Sequence, residues 1–207
     1  MLTALLARHL RRQGISVAAL KPVASGGRSD ARALCSALAG ALTLDEINPW
    51  HFRAPLAPLL AARREHRRVT LAAVLAHIRR MQKRFELVLV EGAGGLLSPL
   101  GEDFNSNDLI AALRATPIVV GRNRLGVVNQ VLLTLGALPR GTAVGAHVVL
   151  MSPPIPNAAA ATNPKLLAEF FETERIFALP WLGRRWTADQ VLAESRVRRI
   201  LRALAGT

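Results

Sequence analysis

Apolar residues along this chain fall into two kinds of run, and the two kinds alternate. Short apolar stretches, several rich in β-branched residues, occur at 15–20, 87–90, 117–121, 143–150 and 176–179. They are too short for helices and read as strands. The run Leu87-Val88-Leu89-Val90 is apolar on both faces, the pattern of a strand buried inside a parallel sheet. Between these runs the spacing is helical. Residues 2–13 place Leu2, Leu5, Leu6, Ala7 and Leu10 on one stripe with Arg8, Arg11 and Arg12 elsewhere, and Gly14 closes the helix. Further helices are expected at 31–42, 55–64, 71–84, 124–138, 165–171 and 188–204, with 103–107 leading into one that ends near 114. Segment 21–27 reads as a loop, 48–52 as a turn-rich connector, and a proline-rich loop follows 150. The alternation predicts an α/β fold: one domain over 1–207, with a doubly wound, mostly parallel sheet and helices on both faces.

Candidate chemistry sits where one strand ends. Glu91 follows Val90 directly, and Gly92-Ala93-Gly94-Gly95 follow Glu91. Open α/β sheets bind ligands at the carboxyl ends of their strands. Glycines let backbone N–H groups approach a phosphate, and a carboxylate there can hold magnesium. A tight turn with a merely solvated Glu91 fits the same spacing, because short glycine motifs are weak signals. Lys21 leaves the first strand in a comparable position. Ser29-Asp30 can cap the helix that follows.

Composition narrows the classes. The chain has 207 residues, enough for a sizeable core. No apolar run approaches the ~20 residues that span a bilayer. The amphipathic opening, with arginines inside it, lacks the cleavage signature of a secretory leader. One cysteine, Cys35, allows no intramolecular disulfide and suits a reducing cytoplasm. The net charge of +13 invites nucleic acid as a partner. Against that, the basic pairs Arg11-Arg12, Arg63-Arg64, Arg67-Arg68, Arg79-Arg80, Arg184-Arg185 and Arg198-Arg199 are scattered, and aromatics make up only 4%. Such a surface favours anionic small molecules without a stacking platform for bases. The five histidines show no metal-ligand spacing with Cys35 or each other.

Six motifs in order carry a resemblance: KPVASGG at 21–27, SDA at 29–31, NPWHF at 48–52, VEGAGGLLSPL at 90–100, RLGVVNQVLLT at 124–134 and LPWLG at 179–183. Together they resemble the ATP-dependent dethiobiotin synthetases, over essentially the whole chain. The resemblance implies a P-loop NTPase type of fold and a homodimer in the cytoplasm. It also implies a magnesium-dependent ligase of biotin biosynthesis that uses ATP and carbon dioxide to close a ureido ring on 7,8-diaminononanoate. Residue by residue it implies that Lys21 is the active-site lysine, and that Ser25 and Asn129 bind substrate, Asn129 across the dimer interface. Asp30 and Glu91 would bind the metal and the ATP phosphates. Gly92, Ala93, Gly94, Pro180, Trp181 and Leu182 would line the nucleotide site. Neither nucleic acid nor membrane is an implied partner. Other readings stay open at each position: a solvated Lys21, a turn-forming Ser25, helix capping by Asp30 or Asn129, and a core turn with a buried Trp at 180–182.

The chain departs from the family pattern twice. Doubly wound nucleotide-binding domains open with a strand and a G-x-x-x-x-G-K-[ST] loop, and neither precedes the helix at 2–13. That strand would lie between the runs at 87–90 and 117–121, so its loss leaves both without a ladder partner on one side. Each unsatisfied backbone group would cost about 1–3 kcal/mol. The expectation is therefore that the reading frame starts upstream and Met1 is internal; a chain complete as it stands should be inactive, or need a partner. The second departure is at 148–151, where the family's adenine-reading asparagine does not appear before Asn157. Two rival functions follow: a catalytically dead remnant acting as a dimeric binding protein, and a basic nucleic-acid-binding domain.

Overall fold

Four consecutive buried strand residues, Val17–Leu20, are what the first part of the chain assembles around. The structure is a computed structural model that describes residues 1–183 and 187–206, so the Arg184-Arg185 pair lies outside the described residues. It divides into two units, Met1–Leu113 and Arg114–Thr207.

In the first unit, α1 (Leu2–Arg12) buries Leu2, Leu5, Leu6, Ala7 and Leu10, the stripe read from the sequence. It packs on β1 (Val17–Leu20). Two short strands then appear where a loop and a connector were expected. These are β2 (Val23–Ser25) and β3 (Trp50–Phe52), paired in parallel with Val23 opposite Trp50 and Ser25 opposite Phe52. Runs of three residues are below what hydrophobic alternation resolves. Their pairing is held by the buried Phe52 and by bonds at both ends, Trp50 N to Pro22 O at 3.1 Å and Gly26 N to Phe52 O at 2.9 Å. Between them run α2 (Ser29–Ala37) and α3 (Leu44–Ile47). α2 stops well before residue 42 because Ala39 and Gly40 take left-handed φ values of 48° and 76°. α4 (Pro58–Arg64), α5 (Leu71–Gln82), β4 (Leu87–Val90) and α6 (Ser106–Leu113) complete the unit.

β4 runs parallel to β1 with Val17 opposite Leu87 and Leu20 opposite Val90. Its burial is less than that of an interior strand, as expected for a strand left without a ladder partner on one side. Among the described residues β4 ladders with β1 alone, so its other edge is open and Val90 is 36% exposed. The apolar pattern of an interior strand therefore sits at an edge.

The second unit is a three-stranded parallel sheet in the order β5 (Ile118–Arg122), β6 (His147–Met151), β7 (Ile176–Leu179). Val148, Val149 and Leu150 of the central strand are fully buried. β5, like β4, has one ladder partner among the described residues, and Val120 is 50% exposed. α7 (Val127–Ala137), α8 (Ala158–Leu167), α9 (Ala188–Ala193) and α10 (Ser195–Ala205) surround the sheet positions in sequence. α8 begins before residue 165 because the Asn157 side chain caps it, accepting from Ala160 N at 2.9 Å. The expected closing helix is two helices, broken at Glu194 by extended backbone. Every named strand pair is parallel. That agrees with the α/β class read from the alternation.

One surface device controls how the chain returns from α2 to β3. Thr43 and Glu46 form a capping box on α3, and Glu46 Oε1 also takes Arg84 Nη1 at 2.7 Å. The Arg84 bond first, then the Thr43 backbone bond, hold the Glu46 carboxyl down to about 2. A carboxyl depressed on folding stabilises above its usual 4.5 and loses that effect as pH falls toward 2. Glu46→Gln should therefore be less stable than the parent at pH 7, and the gap should close across this acid window in urea melts. Thr43→Ala should cost about 1 kcal/mol.

Candidate active site

The register of β1 against β4 sets the site. With Leu20 opposite Val90, the next residues of each strand, Lys21 and Glu91, emerge side by side, and Glu91 N donates to Leu20 O at 2.7 Å. The Lys21 ammonium has three protons and three acceptors: Glu91 Oε1 at 2.8 Å, Asp30 Oδ2 at 3.1 Å and the Gly92 carbonyl at 3.2 Å. Its side chain is 11% exposed, against 22% for Glu91 and 55% for Asp30. Burial is the largest single influence and would lower the Lys21 pKa. The bond and charge of Glu91, followed by those of Asp30, together outweigh it and leave the pKa above 10.5.

Local structure aims each group. The Lys21 backbone is held on both sides, its N–H to Ile47 O at 3.0 Å and its carbonyl by Asn48 Nδ2 at 2.8 Å. Asn48 is 1% exposed; the sequence offered it only as part of NPWHF, a turn-rich connector and one of the motifs of the resemblance, with no role of its own. Asp30 lies in the first turn of α2, but the N-cap is Arg28 and no side chain makes a cap bond there. The capping reading of Asp30 is therefore not realised; its carboxylate faces Lys21. Thr3, in the first turn of α1, donates its hydroxyl to Glu91 Oε2 at 2.6 Å. Nothing in the sequence marked it, because the contact spans 88 positions.

The loop after Glu91 needs its glycines. Gly94 has φ +78°, and a Cβ there would lie 2.7 Å from Ser98 Oγ, which already accepts from Gly95 N. A Cβ on Gly92 would lie 2.8 Å from Ser106 Oγ. Gly92 and Gly94 are exposed and Ala93 is half-buried. Ser25 ends β2 and donates to Leu56 O at 2.5 Å, the behaviour of a loop clasp.

The donor set fits a hard cation. Two carboxylates converge on one ammonium with a backbone carbonyl beside them, and a hydroxyl bonds the second Glu91 oxygen. All of these donors are oxygens. No group of three or more His, Cys, Asp and Glu able to hold a metal occurs among the described residues. Two carboxylates alone match the incomplete protein shell that Mg²⁺ accepts when phosphates and water supply the rest.

The remaining sequence candidates belong to the second unit. Asn129 is exposed on α7, whose N-cap is Gly126 at φ 90°, so Asn129 does not occupy the cap position. Pro180, Trp181 and Leu182 follow β7, and Trp181 is 47% exposed, which overturns the buried-core alternative. Asn157 caps α8. Sequence reading missed a buried amide pair after β5, where Asn163 Nδ2 donates to Asn123 Oδ1 at 2.8 Å and Asn123 Nδ2 to Ala160 O at 2.9 Å.

Comparison with known proteins gives consistent matches. A family model described as an AAA domain matches residues 1–184. The chain is 41% identical over 181 residues to the ATP-dependent dethiobiotin synthetase BioD of Anaeromyxobacter sp. (strain K), covering 85% of this chain and 81% of that protein. It is 34% identical over 184 residues to the protein of the same name from Bacillus subtilis (strain 168), covering 86% and 77%.

The ammonium at the centre of this cluster has a measurable signature. Lys21→Met should cost about 1–3 kcal/mol at pH 7, below the loss for a fully buried pair because Asp30 is half open to water. A lysine whose pKa rises on folding stabilises fully below 10.5 and loses the effect above its folded value. The stability gap between parent and variant should therefore be level near neutrality and narrow as pH climbs beyond 10.5, read by denaturant titration.

Proposed function

This chain belongs to the AAA-domain family matched above and, within it, to the ATP-dependent dethiobiotin synthetases, and on that premise we propose that it forms dethiobiotin in biotin biosynthesis. It is an ATP-dependent cyclo-ligase joining carbon dioxide to the two amines of 7,8-diaminononanoate. One observation carries the reading at the level of chemistry: Lys21, Asp30 and Glu91 converge at the carboxyl ends of neighbouring parallel strands, within 3.1 Å of one nitrogen.

In this reading the first amine captures carbon dioxide as a carbamate, ATP phosphorylates the carbamate to a mixed anhydride, and the second amine attacks it with loss of phosphate. Lys21 binds the carbamate and the negative charge that grows during phosphoryl transfer, a role for a fixed cation in a partly dehydrated site. Asp30 and Glu91 would hold Mg²⁺, which supplies neutralisation of the ATP phosphates. Gly92, Ala93 and Gly94 would offer backbone groups to the nucleotide; Pro180, Trp181 and Leu182, with Trp181 47% exposed, keep the adenine-lining role that the resemblance implies. Ser25, at the end of β2, would contact the substrate in this assignment. No covalent enzyme intermediate is needed; the residues position and stabilise.

The chain acts as a homodimer in the cytoplasm, with small molecules as its partners and neither nucleic acid nor membrane among them. What supports the dimer is the outer face of α7, where Leu133 is 65% exposed beside Asn129, with Leu125 at 88% just before the helix. An exposed apolar stripe around an amide suits a partner subunit whose substrate Asn129 would reach. Several arginines are already engaged by acids, Arg28 by Asp45, Arg63 by Glu102 and Arg84 by Glu46, which lessens the case for a phosphodiester backbone as ligand. No helix among the described residues is long and apolar enough to cross a membrane.

Labelled bicarbonate should appear in a ring-closed product only when ATP, Mg²⁺ and 7,8-diaminononanoate are all present; absence of fixation by a chain that carries the G-x-x-x-x-G-K-T loop in frame would overturn the reading. Lys21→Gln should lower turnover about 100- to 1,000-fold, the scale of losing one fixed charge-stabilising group. Leu133→Glu should convert a dimer to monomers in analytical ultracentrifugation while leaving the far-UV circular dichroism of the parent, since within one subunit the side chain is largely solvated.

A further inference from the structure

We infer that Thr3 is a positioning residue for the Glu91 carboxylate, setting how readily that carboxylate binds a divalent cation. The inference deepens the assignment of Glu91 as a metal and phosphate ligand, and rests on it.

Glu91 leaves β4 with its backbone fixed by the Leu20 carbonyl, but its side chain still has rotatable bonds. Both oxygens are taken, one donor each: Lys21 Nζ on Oε1 at 2.8 Å and Thr3 Oγ1 on Oε2 at 2.6 Å. The two contacts differ in kind. Lys21 is shared among Glu91, Asp30 and the Gly92 carbonyl, and its ammonium must turn to substrate in the proposed reaction. Thr3 has no such second duty among the described contacts. It is carried on a rigid element, with Leu2, Ala4, Leu5, Leu6 and Ala7 around it buried. Once Lys21 leaves Oε1, the Thr3 hydroxyl keeps the carboxylate oriented.

A hydrogen bond to a carboxylate is among the stronger neutral-to-charged contacts. A glutamate held in place in advance also loses less rotamer freedom when a cation arrives. Removing the hydroxyl should therefore weaken cation binding about three- to tenfold without deleting a ligand. The site needs only the oxygen, so serine should replace threonine.

Mn²⁺ binding to the full chain, followed by the loss of free-ion electron paramagnetic resonance signal, tests this directly. Thr3→Val should raise half-saturating Mn²⁺ three- to tenfold, Thr3→Ser should stay within about twofold of the parent, and Glu91→Gln should abolish the site. In the assay the Thr3→Val defect should lie in the Mg²⁺ requirement, with turnover recovered at saturating Mg²⁺. A purely structural threonine would instead lower the melting temperature and leave Mn²⁺ binding unchanged; parent-like binding by Thr3→Val overturns the inference. Mn²⁺ binding insensitive to Glu91→Gln, or none by the parent, overturns the assignment of Glu91 itself and the inference with it.

Discussion

A single ammonium, Lys21, held at once by Glu91, Asp30 and the Gly92 carbonyl, is the contact from which the rest of the first unit takes its logic. A nearly enclosed ammonium is unfavourable alone, because leaving water costs more than apolar surroundings return. Here three oxygens from two segments replace the lost water. The Glu91 carboxylate and the Gly92 carbonyl lie in the loop beyond β4, and the Asp30 carboxylate lies in the first turn of α2. For all three to meet, β1 must stand beside β4 in one register, and α2 must start where the short β2–β3 ladder delivers it. Asn48 and Ile47 lock the backbone from which the lysine springs. Charge compensation at one point thus imposes geometry on five elements.

Under the proposed assignment the same arrangement would suit the cluster to handling phosphate. Its oxygens already surround a cation, so exchanging an ammonium for a hard metal ion would require little rebuilding of the walls. The ammonium would then be free to meet a carbamate or a phosphoryl oxygen. A site whose dipoles and charges stand in place before the reaction spends little on reorganisation during it. The rigidity has humble sources, such as a buried stripe of leucines under α1 and a glycine at φ +78° packed against Ser98 in the loop after Glu91.

Much of this was legible in the order of residues, for reasons that differ by position. The strands and amphipathic helices follow from hydrophobic period, which depends on neighbours alone. Lys21 and Glu91 could be placed at strand ends because each follows an apolar run directly. Asp30 was ambiguous, since a first-turn carboxylate caps a helix as readily as it meets a lysine, and only the fold decides between them. Thr3 and Asn48 were invisible because their partners lie 88 and 27 positions away. β2 and β3 were missed because three residues show no alternation. The half-exposure of β4 could not be read from its composition, since Leu-Val-Leu-Val looks the same in the interior of a sheet or at its border.

That border has a consequence for the protein as a material. Among the described residues β4 ladders on one side only, and a strand side without a ladder, flanked by valine, is an adhesive strip for any extended backbone, identical copies included. Yet the strip is bracketed by acids, Glu86 before it and Glu91 after it. Copies stacked head to head in parallel would align each Glu86 with its twin, and that exposed like charge disfavours the pairing. Glu91 is already matched by Lys21, so the guard on this edge stands at the start of the strand and not at its chemical end.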